Sequence, residues 1–135
     1  MIGITRNGAT LRIRLLGIDR PAVAHGTEPG QPYAEHARDY LDHLNGGKPV
    51  RVDAYGRDQH ERVLAVLWDE QVNVNLLMAA KGCAEVFRRA PCVVYCQELH
   101  APEAKARQDR VGMWAQGPRY KSPRDFRRRM RLSGT

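Results

Sequence analysis

An arginine and an aspartate lie near the two ends of a short apolar segment, residues 14–21, which ends in proline. Alternating and β-branched residues over positions 10–18 predict a strand, and Pro21 cannot continue it. Strand ends that face a loop are common places for sites, and guanidinium and carboxylate groups are suited to phosphate and to cations. Arg14 and Asp19 are five residues apart, so both reach one site only if the strand bends.

Hydrophobic periodicity around this segment predicts an α+β fold in a single domain. Asn75 is suited to cap a short helix that ends at Gly82, because an amide oxygen can accept from first-turn N–H groups. Pro102 must kink the third helix or begin a new one. The predicted elements are strands over residues 10–18, 50–55 and 63–68 and helices over residues 33–44, 75–82 and 95–110.

The composition predicts a soluble chain in a reducing, intracellular compartment. No stretch approaches the roughly 18 apolar residues of a membrane span, and the N-terminus lacks the charged-then-apolar order of a signal peptide. Three cysteines, an odd number, argue against a disulfide scaffold. Cys92, Cys96 and His100 are spaced by four and could share a helical face as soft metal ligands. We favour the interpretation that the cysteines are buried thiols, because no fourth metal ligand is evident.

Four motifs make the chain similar to the staphylococcal-nuclease-like (thermonuclease) family over residues 10–114. The first is residues 14–21, whose arginine, apolar run, aspartate and proline follow the family's pattern. The others are the strand that opens with Arg62, the helix and turn over residues 74–86, and the helix that ends in Gly112-Met-Trp114. Smaller features look most like the fungal mitochondrial endonuclease branch: His25, residues 31–33, residues 58–59 and residues 122–130.

The resemblance implies a particular α+β fold, a small five-stranded OB-fold β-barrel with about three helices. Residues 1–116 would form this domain, and residues 117–135 a basic C-terminal tail. The family's opening strand and its acidic metal-binding turn are not matched. The domain is therefore expected to be N-terminally incomplete, with an unpaired sheet edge. Either Met1 is an internal start or the domain is degenerate.

The resemblance also implies a site that hydrolyses phosphodiester bonds of DNA or RNA with calcium. Arg14 and Arg62 match the family's two phosphate-binding catalytic arginines. Asp19 matches a calcium-ligating aspartate, and the backbone carbonyl of Arg20 falls where the family uses a carbonyl ligand. Arg57, in Tyr-Gly-Arg, is the alternative second arginine, but aligning the following strand selects Arg62 and leaves Arg57 in a turn.

Two parts of this implied site are not matched. The residue after Pro21 is Ala22, where the family has a glutamate, and no acidic residue precedes Asp19. Calcium normally takes about 6–8 oxygen ligands, so weak or absent calcium binding is expected unless Glu28 or Glu61 contributes. Two hypotheses follow: an endonuclease domain with impaired activity, or a catalytically inactive module that binds nucleic acid or protein.

Most of the formal charge of +7 lies in the tail, where seven lysines and arginines face one acid, Asp125. Such a segment can bind nucleic acid or an anionic membrane, or it can be merely solubilising. Ser122 and a proline could begin a helix whose Phe126 and Met130 dock on the domain. A mitochondrial location is implied by the resemblance alone. The predicted nucleic-acid contacts are Arg88, Arg89, Lys121, Arg124, Arg127, Arg128 and Arg129.

Overall fold

The computed structural model describes residues 2–6, 8–24, 29–45, 49–88 and 92–133. Within these ranges the chain forms two sheets, four α-helices and one 3-10 stretch. The strands are β1 (Ile2–Arg6), β2 (Ala9–Leu15), β3 (Ile18–Asp19), β4 (Arg51–Arg57), β5 (Val63–Asp69), β6 (Val72–Asn73) and β7 (Glu85–Val86). The helices are α1 (Ala34–Asn45), α2 (Val74–Ala80), α3 (Cys96–Gln108) and α4 (Pro123–Ser133), with the 3-10 stretch at Gly112–Arg119.

The larger sheet has the order β1-β2-β5-β4, and β6 extends from β5. β1 and β2 form an antiparallel hairpin, whereas β2 and β5 run parallel. β4 and β5 are antiparallel, with an irregularity between Ala54 and Arg57. β3 and β7 form the smaller sheet, in which Asp19 is the partner of Glu85. The α+β class predicted from the sequence is confirmed, and the prediction of an N-terminally incomplete domain stays a prediction.

The predicted strand over residues 10–18 is wrong in one respect, because it is two strands separated by a turn at Leu16 and Gly17. Gly17 has φ +81°, and a Cβ there would lie 2.5 Å from Leu99 Cδ1, so this turn requires glycine. The chain changes direction at the turn and pairs next with β7. The turn supplies the bend that Arg14 and Asp19 need to reach one site.

Asn75, rather than capping α2, fastens this turn to β5. Its buried side chain donates to Leu16 O (2.9 Å) and Ala65 O (3.1 Å) and accepts from the N–H of Leu67 (3.2 Å). The N-cap of α2 is Asn73, whose Oδ1 accepts from a first-turn N–H. Asparagine suits both positions, so composition alone could not choose between them. The core around Asn75 consists mainly of Ile13, Leu15, Ile18, Leu41, Leu67, Val74, Met78 and Leu99.

The segment after Gly117, expected to be a basic tail, forms α4 as far as it is described. The N–H of Asp125 donates to Ser122 Oγ (3.1 Å), so serine caps the helix as predicted. Pro123 is fully buried, and the backbone carbonyl of Lys121 accepts from Gln31 Nε2 (2.6 Å). These contacts fix the start of α4 on the rest of the chain. The division into a domain over residues 1–116 and a separate tail stays a prediction.

Cys92 and Cys96 form a disulfide at the start of α3, with their Cα atoms 5.8 Å apart. The expectation of reduced, buried thiols is therefore wrong for this pair, and their sulfurs are not available to a metal together with His100. The odd number of cysteines was misleading, because a disulfide between two cysteines four residues apart can close a small local loop in a chain that has no wider disulfide framework. α3 itself runs through Pro102. None of the helices within the described ranges is both long and apolar enough to span a membrane.

Thiol titration should distinguish the three cysteines. Cys83 is buried, and burial raises the pKa of its thiol to about 11, so it should not form a thiolate near neutral pH. Ellman's reagent is expected to detect no thiol in the native protein, one in denaturant, and three after reduction in denaturant. Three thiols that react without a reductant in denaturant would contradict the disulfide.

Candidate functional site

β2, β3, the turn before β5 and α4 contribute to a cleft of about 610 Å³ that we call the arginine cleft. Asp19 is the one carboxylate among its described lining residues. Such an excess of cationic side chains concentrates positive potential and favours a polyanion. The residues that line it are Arg12, Arg14, Asp19, His60, Arg62, Phe87, Arg124, Arg127 and Arg131.

Arg14 is held by the turn that follows its own strand. Its Nη1 donates to Ile18 O (2.6 Å) and Leu15 O (3.0 Å), and its guanidinium carbon lies 5.5 Å from the ring centroid of Phe87. Backbone carbonyls and an aromatic face thus fix the orientation of the guanidinium. A group held in this way loses little conformational entropy when it binds phosphate.

The cations of the cleft interact with one another. Burial lowers the pKa of Arg14 from its ordinary value; Asp19 opposes the shift, and Arg62 and Arg127 add to it. Arginine nevertheless remains charged at neutral pH, because its ordinary pKa is very high. The cleft therefore holds several mutually repelling charges, and an anion that enters it would relieve their repulsion.

Arg62 immediately precedes β5, and Asp58 positions its side chain. Asp58 Oδ2 accepts from Arg62 Nε (2.7 Å), and its Oδ1 accepts from the backbone N–H groups of Arg62 and His60 (2.9 Å each). Burial alone would raise the pKa of Asp58, but these hydrogen bonds and the Arg62 charge outweigh it and lower the pKa. The contact uses Nε, and no hydrogen bond within the described residues engages Nη1 or Nη2 of Arg62.

The structure separates the two candidates for the second arginine. Arg62 lines the arginine cleft beside Arg14. Arg57 is largely exposed, lies 3.5 Å from Glu61 across an ion pair, and is not among the lining residues. Arg62, and not Arg57, therefore lies in the arginine cleft, and its catalytic role stays a prediction.

The two predicted calcium ligands both bind the same guanidinium. Arg127 Nη1 donates to Asp19 Oδ1 (3.1 Å) and Oδ2 (3.2 Å), and Nη2 donates to the carbonyl oxygen of Arg20 (3.2 Å). Arg127 lies on α4, 108 residues after Asp19. Sequence reasoning placed this arginine among the nucleic-acid contacts and did not connect it with the acidic residue.

The donor groups around Asp19 do not fit a calcium ion. Within the described residues there is no cluster of three or more His, Cys, Asp or Glu side chains that could hold a metal. Of the two glutamates that could have helped, Glu28 lies outside the described residues, and Glu61 is exposed and paired with Arg57. The nearby cations oppose a divalent ion. Calcium is implied by the resemblance alone, and weak or absent binding of it at this site stays a prediction.

Ala22 makes its hydrogen bonds with Gln31 through its own backbone groups. Its N–H donates to Gln31 Oε1 (3.0 Å), and its carbonyl accepts from the N–H of Gln31 (2.6 Å). Its methyl group cannot take a proton from water. The position that carries a glutamate in the resembled family therefore offers no general base here.

The predicted nucleic-acid contacts fall into different surroundings. Arg124 and Arg127 line the arginine cleft, together with Arg131. Arg128 is exposed on α4, outside the described lining. Lys121 and Arg129 line a separate hollow with Phe126 and Met130, the two residues predicted to dock. Arg88 forms an ion pair with Glu103 and donates to Val86 O (3.0 Å), and Arg89 lies outside the described residues.

Sequence reasoning missed four of the lining residues, which are Arg12, His60, Phe87 and Arg131. Arg12 is two residues before Arg14, so the strand period places both on one face of β2, a signal that was available. Phe87 lines the cleft and also an adjoining groove of about 750 Å³ whose walls are partly apolar and partly charged. Its role depends on β7 pairing with β3, a long-range contact without a local sequence signal.

Comparison with known proteins places this geometry in context. A family model described as staphylococcal nuclease homologue matches residues 12–116. The chain is 33% identical over 129 residues to a probable endonuclease LCL3 of Pyricularia oryzae, covering 90% of this chain and 50% of that protein. It is 38% identical over 112 residues to the same-named protein of Leptosphaeria maculans, covering 78% of this chain and 38% of that protein. It is 31% identical over 134 residues to the same-named protein of Clavispora lusitaniae, covering 92% of this chain and 58% of that protein. The chain thus spans roughly half the length of these curated relatives.

Proposed function

Because this chain belongs to the staphylococcal nuclease homologue family, we propose that its arginine cleft binds the phosphodiester backbone of nucleic acid and hydrolyses it only slowly. The observation that carries this proposal is the gathering of six arginines around one carboxylate. Phosphate neutralisation is the main source of affinity in nucleic-acid binding. The relatives' name, probable endonuclease, supports the substrate class.

Arg14 and Arg62 are the two groups proposed to contact the phosphate at the site of reaction. Both are fixed by hydrogen bonds, Arg14 to carbonyl oxygens and Arg62 to Asp58. In phosphodiester hydrolysis the attacked phosphorus passes through a more negatively charged state. Fixed guanidiniums stabilise that charge without further reorganisation. The adjoining groove beside Phe87, with its partly apolar walls, offers space for an attached base.

Slow hydrolysis is proposed because the groups that would activate water are not matched. Ala22 has no proton acceptor, and the donors around Asp19 do not fit calcium. We therefore derive no step through a metal ion. Electrostatic stabilisation by the arginines remains the only contribution to rate assigned to the described residues.

A second candidate function is a binding module without catalysis, and Ala22 is the observation that favours it. The two candidates share the cleft and differ only in the rate of hydrolysis. Preference for DNA or RNA, binding of α4 to an anionic membrane and a mitochondrial location stay predictions.

Binding to a short fluorescent single strand over a salt series tests the proposal. Replacing both Arg14 and Arg62 by alanine should weaken binding at least about tenfold and reduce the slope of log K against log salt by about 1.4, roughly 0.7 per lost phosphate contact. The matched control is Arg57→Ala with Arg128→Ala, which removes the same charge outside the described lining of the cleft. Circular dichroism must confirm folding of both variants. Equal losses in the two double variants would contradict a specific role for the cleft.

A further inference from the structure

Arg127 makes the contacts that a cation would make at Asp19. One guanidinium lies across both carboxylate oxygens of Asp19 and the carbonyl oxygen of Arg20, with all three N–O distances between 3.1 and 3.2 Å. The Asp19 side chain is only 12% exposed, so its charge requires a partner. A planar group with several N–H donors can satisfy a carboxylate and a nearby carbonyl at once.

The position of Arg127 is set by contacts along the start of α4. The N-cap at Ser122, the buried ring of Pro123 and the hydrogen bond from Gln31 to the carbonyl of Lys121 fix the first turn. The next turn carries Arg127 to Asp19. The ion pair between Arg127 and Asp19 therefore follows from the contacts that fix the start of α4 on the rest of the chain.

Arg127 also retains access to the cleft. Its side chain is 47% exposed, and it lines the arginine cleft with Arg124 and Arg131. It can therefore bind Asp19 on one side and leave positive charge facing a bound phosphate. A metal ion between a carboxylate and a phosphate would have the same two electrostatic roles.

We propose that Arg127 is a built-in cation that replaces a metal ion between Asp19 and Arg20, so that the arginine cleft binds phosphate without a divalent metal. The statement about phosphate rests on the proposed function. The statement about Asp19 does not, because it concerns a contact within the chain. The two parts call for separate measurements.

The first measurement is a double-mutant cycle on thermal unfolding in the full chain without nucleic acid. Arg127→Ala and Asp19→Asn are each expected to lower Tm by about 3 °C, and the double variant by no more than either alone, because both remove the same interaction. Arg128→Ala, on the same helix and of the same charge, should leave Tm unchanged. Additive losses, or equal effects of Arg127→Ala and Arg128→Ala, would overturn the proposal.

The second measurement is affinity for a short single strand at constant ionic strength, with millimolar calcium or with a chelator. The unmodified chain should bind equally in both buffers, and Arg127→Ala should lose about fivefold, more than Arg128→Ala. Clearly tighter binding in calcium would overturn the metal-independent role. If the unmodified chain binds no oligonucleotide in either buffer, the proposed function and the phosphate role fail together. The thermal cycle alone still decides whether Arg127 replaces the ion at Asp19.

Discussion

In a plasmid-nicking assay with calcium, the purified chain is expected to cleave DNA about 10²–10⁴-fold more slowly than a family member that has a glutamate after the proline. The reason is chemical, because the methyl group of Ala22 cannot accept a proton from the attacking water. The remaining fixed arginines stabilise charge but do not generate a nucleophile. The chelator should leave the slow rate unchanged, since the donors around Asp19 do not fit calcium.

The control for this assay must separate slow intrinsic cleavage from a contaminating nuclease. Arg62→Ala, purified in the same way, should lower any genuine residual activity, whereas contamination would persist at the same level. Rapid cleavage by the unmodified chain that a chelator abolishes, and that Arg62→Ala removes, would contradict the slow-hydrolysis proposal. It would also show that a metal site exists which the described residues do not reveal.

The sequence predicted those elements whose signals are local. β4 overlaps most of the predicted strand at 50–55, and β5 covers the predicted strand at 63–68. α1 coincides closely with the predicted helix at 33–44, because periodicity and β-branched runs act within each segment. The start of α4 followed from Ser122 and the next proline. Each of these predictions needed only residues that are neighbours in the chain.

The turn at Gly17 was missed for the opposite reason. It depends on Asn75, which binds the carbonyl of Leu16, and on Leu99, which packs against the glycine. Those residues come from α2 and α3, and no local pattern marks their contact with β2. The alternating residues before and after the turn therefore gave the appearance of one continuous strand.

The same distinction between local signals and long-range contacts applies to the candidate site. Arg14, Arg62 and Asp19 were selected through the resemblance, and all three line the arginine cleft. The sequence could not show which residue pairs with Asp19, because the basic tail contains several equivalent arginines. The tertiary contacts of α4 place Arg127 at the carboxylate. The pairing of Arg88 with Glu103, a buried acid from α3, likewise had no local signal, and the contact of Arg88 with nucleic acid stays a prediction.

Replacing that buried acid, Glu103, by alanine is expected to lower the free energy of unfolding by about 3 kcal/mol. The carboxylate accepts from the backbone N–H of Val86 and pairs with Arg88 and Arg107. Its side chain is only 3% exposed, so its removal leaves a buried N–H without its acceptor and a space in the core. The two arginines are each 48% exposed and regain water, so they contribute less to the loss.

Thermal and urea melts of three variants test this role of Glu103. Glu103→Gln keeps an oxygen that can accept from Val86 and should cost less than Glu103→Ala, whereas Arg88→Ala should cost about 1 kcal/mol or less. Because Val86 precedes Phe87, loosening β7 should also weaken oligonucleotide binding at temperatures where Glu103→Ala remains folded. Equal stabilities of Glu103→Ala and Arg88→Ala would mean that the ion pair, and not the acceptor for β7, is what Glu103 supplies.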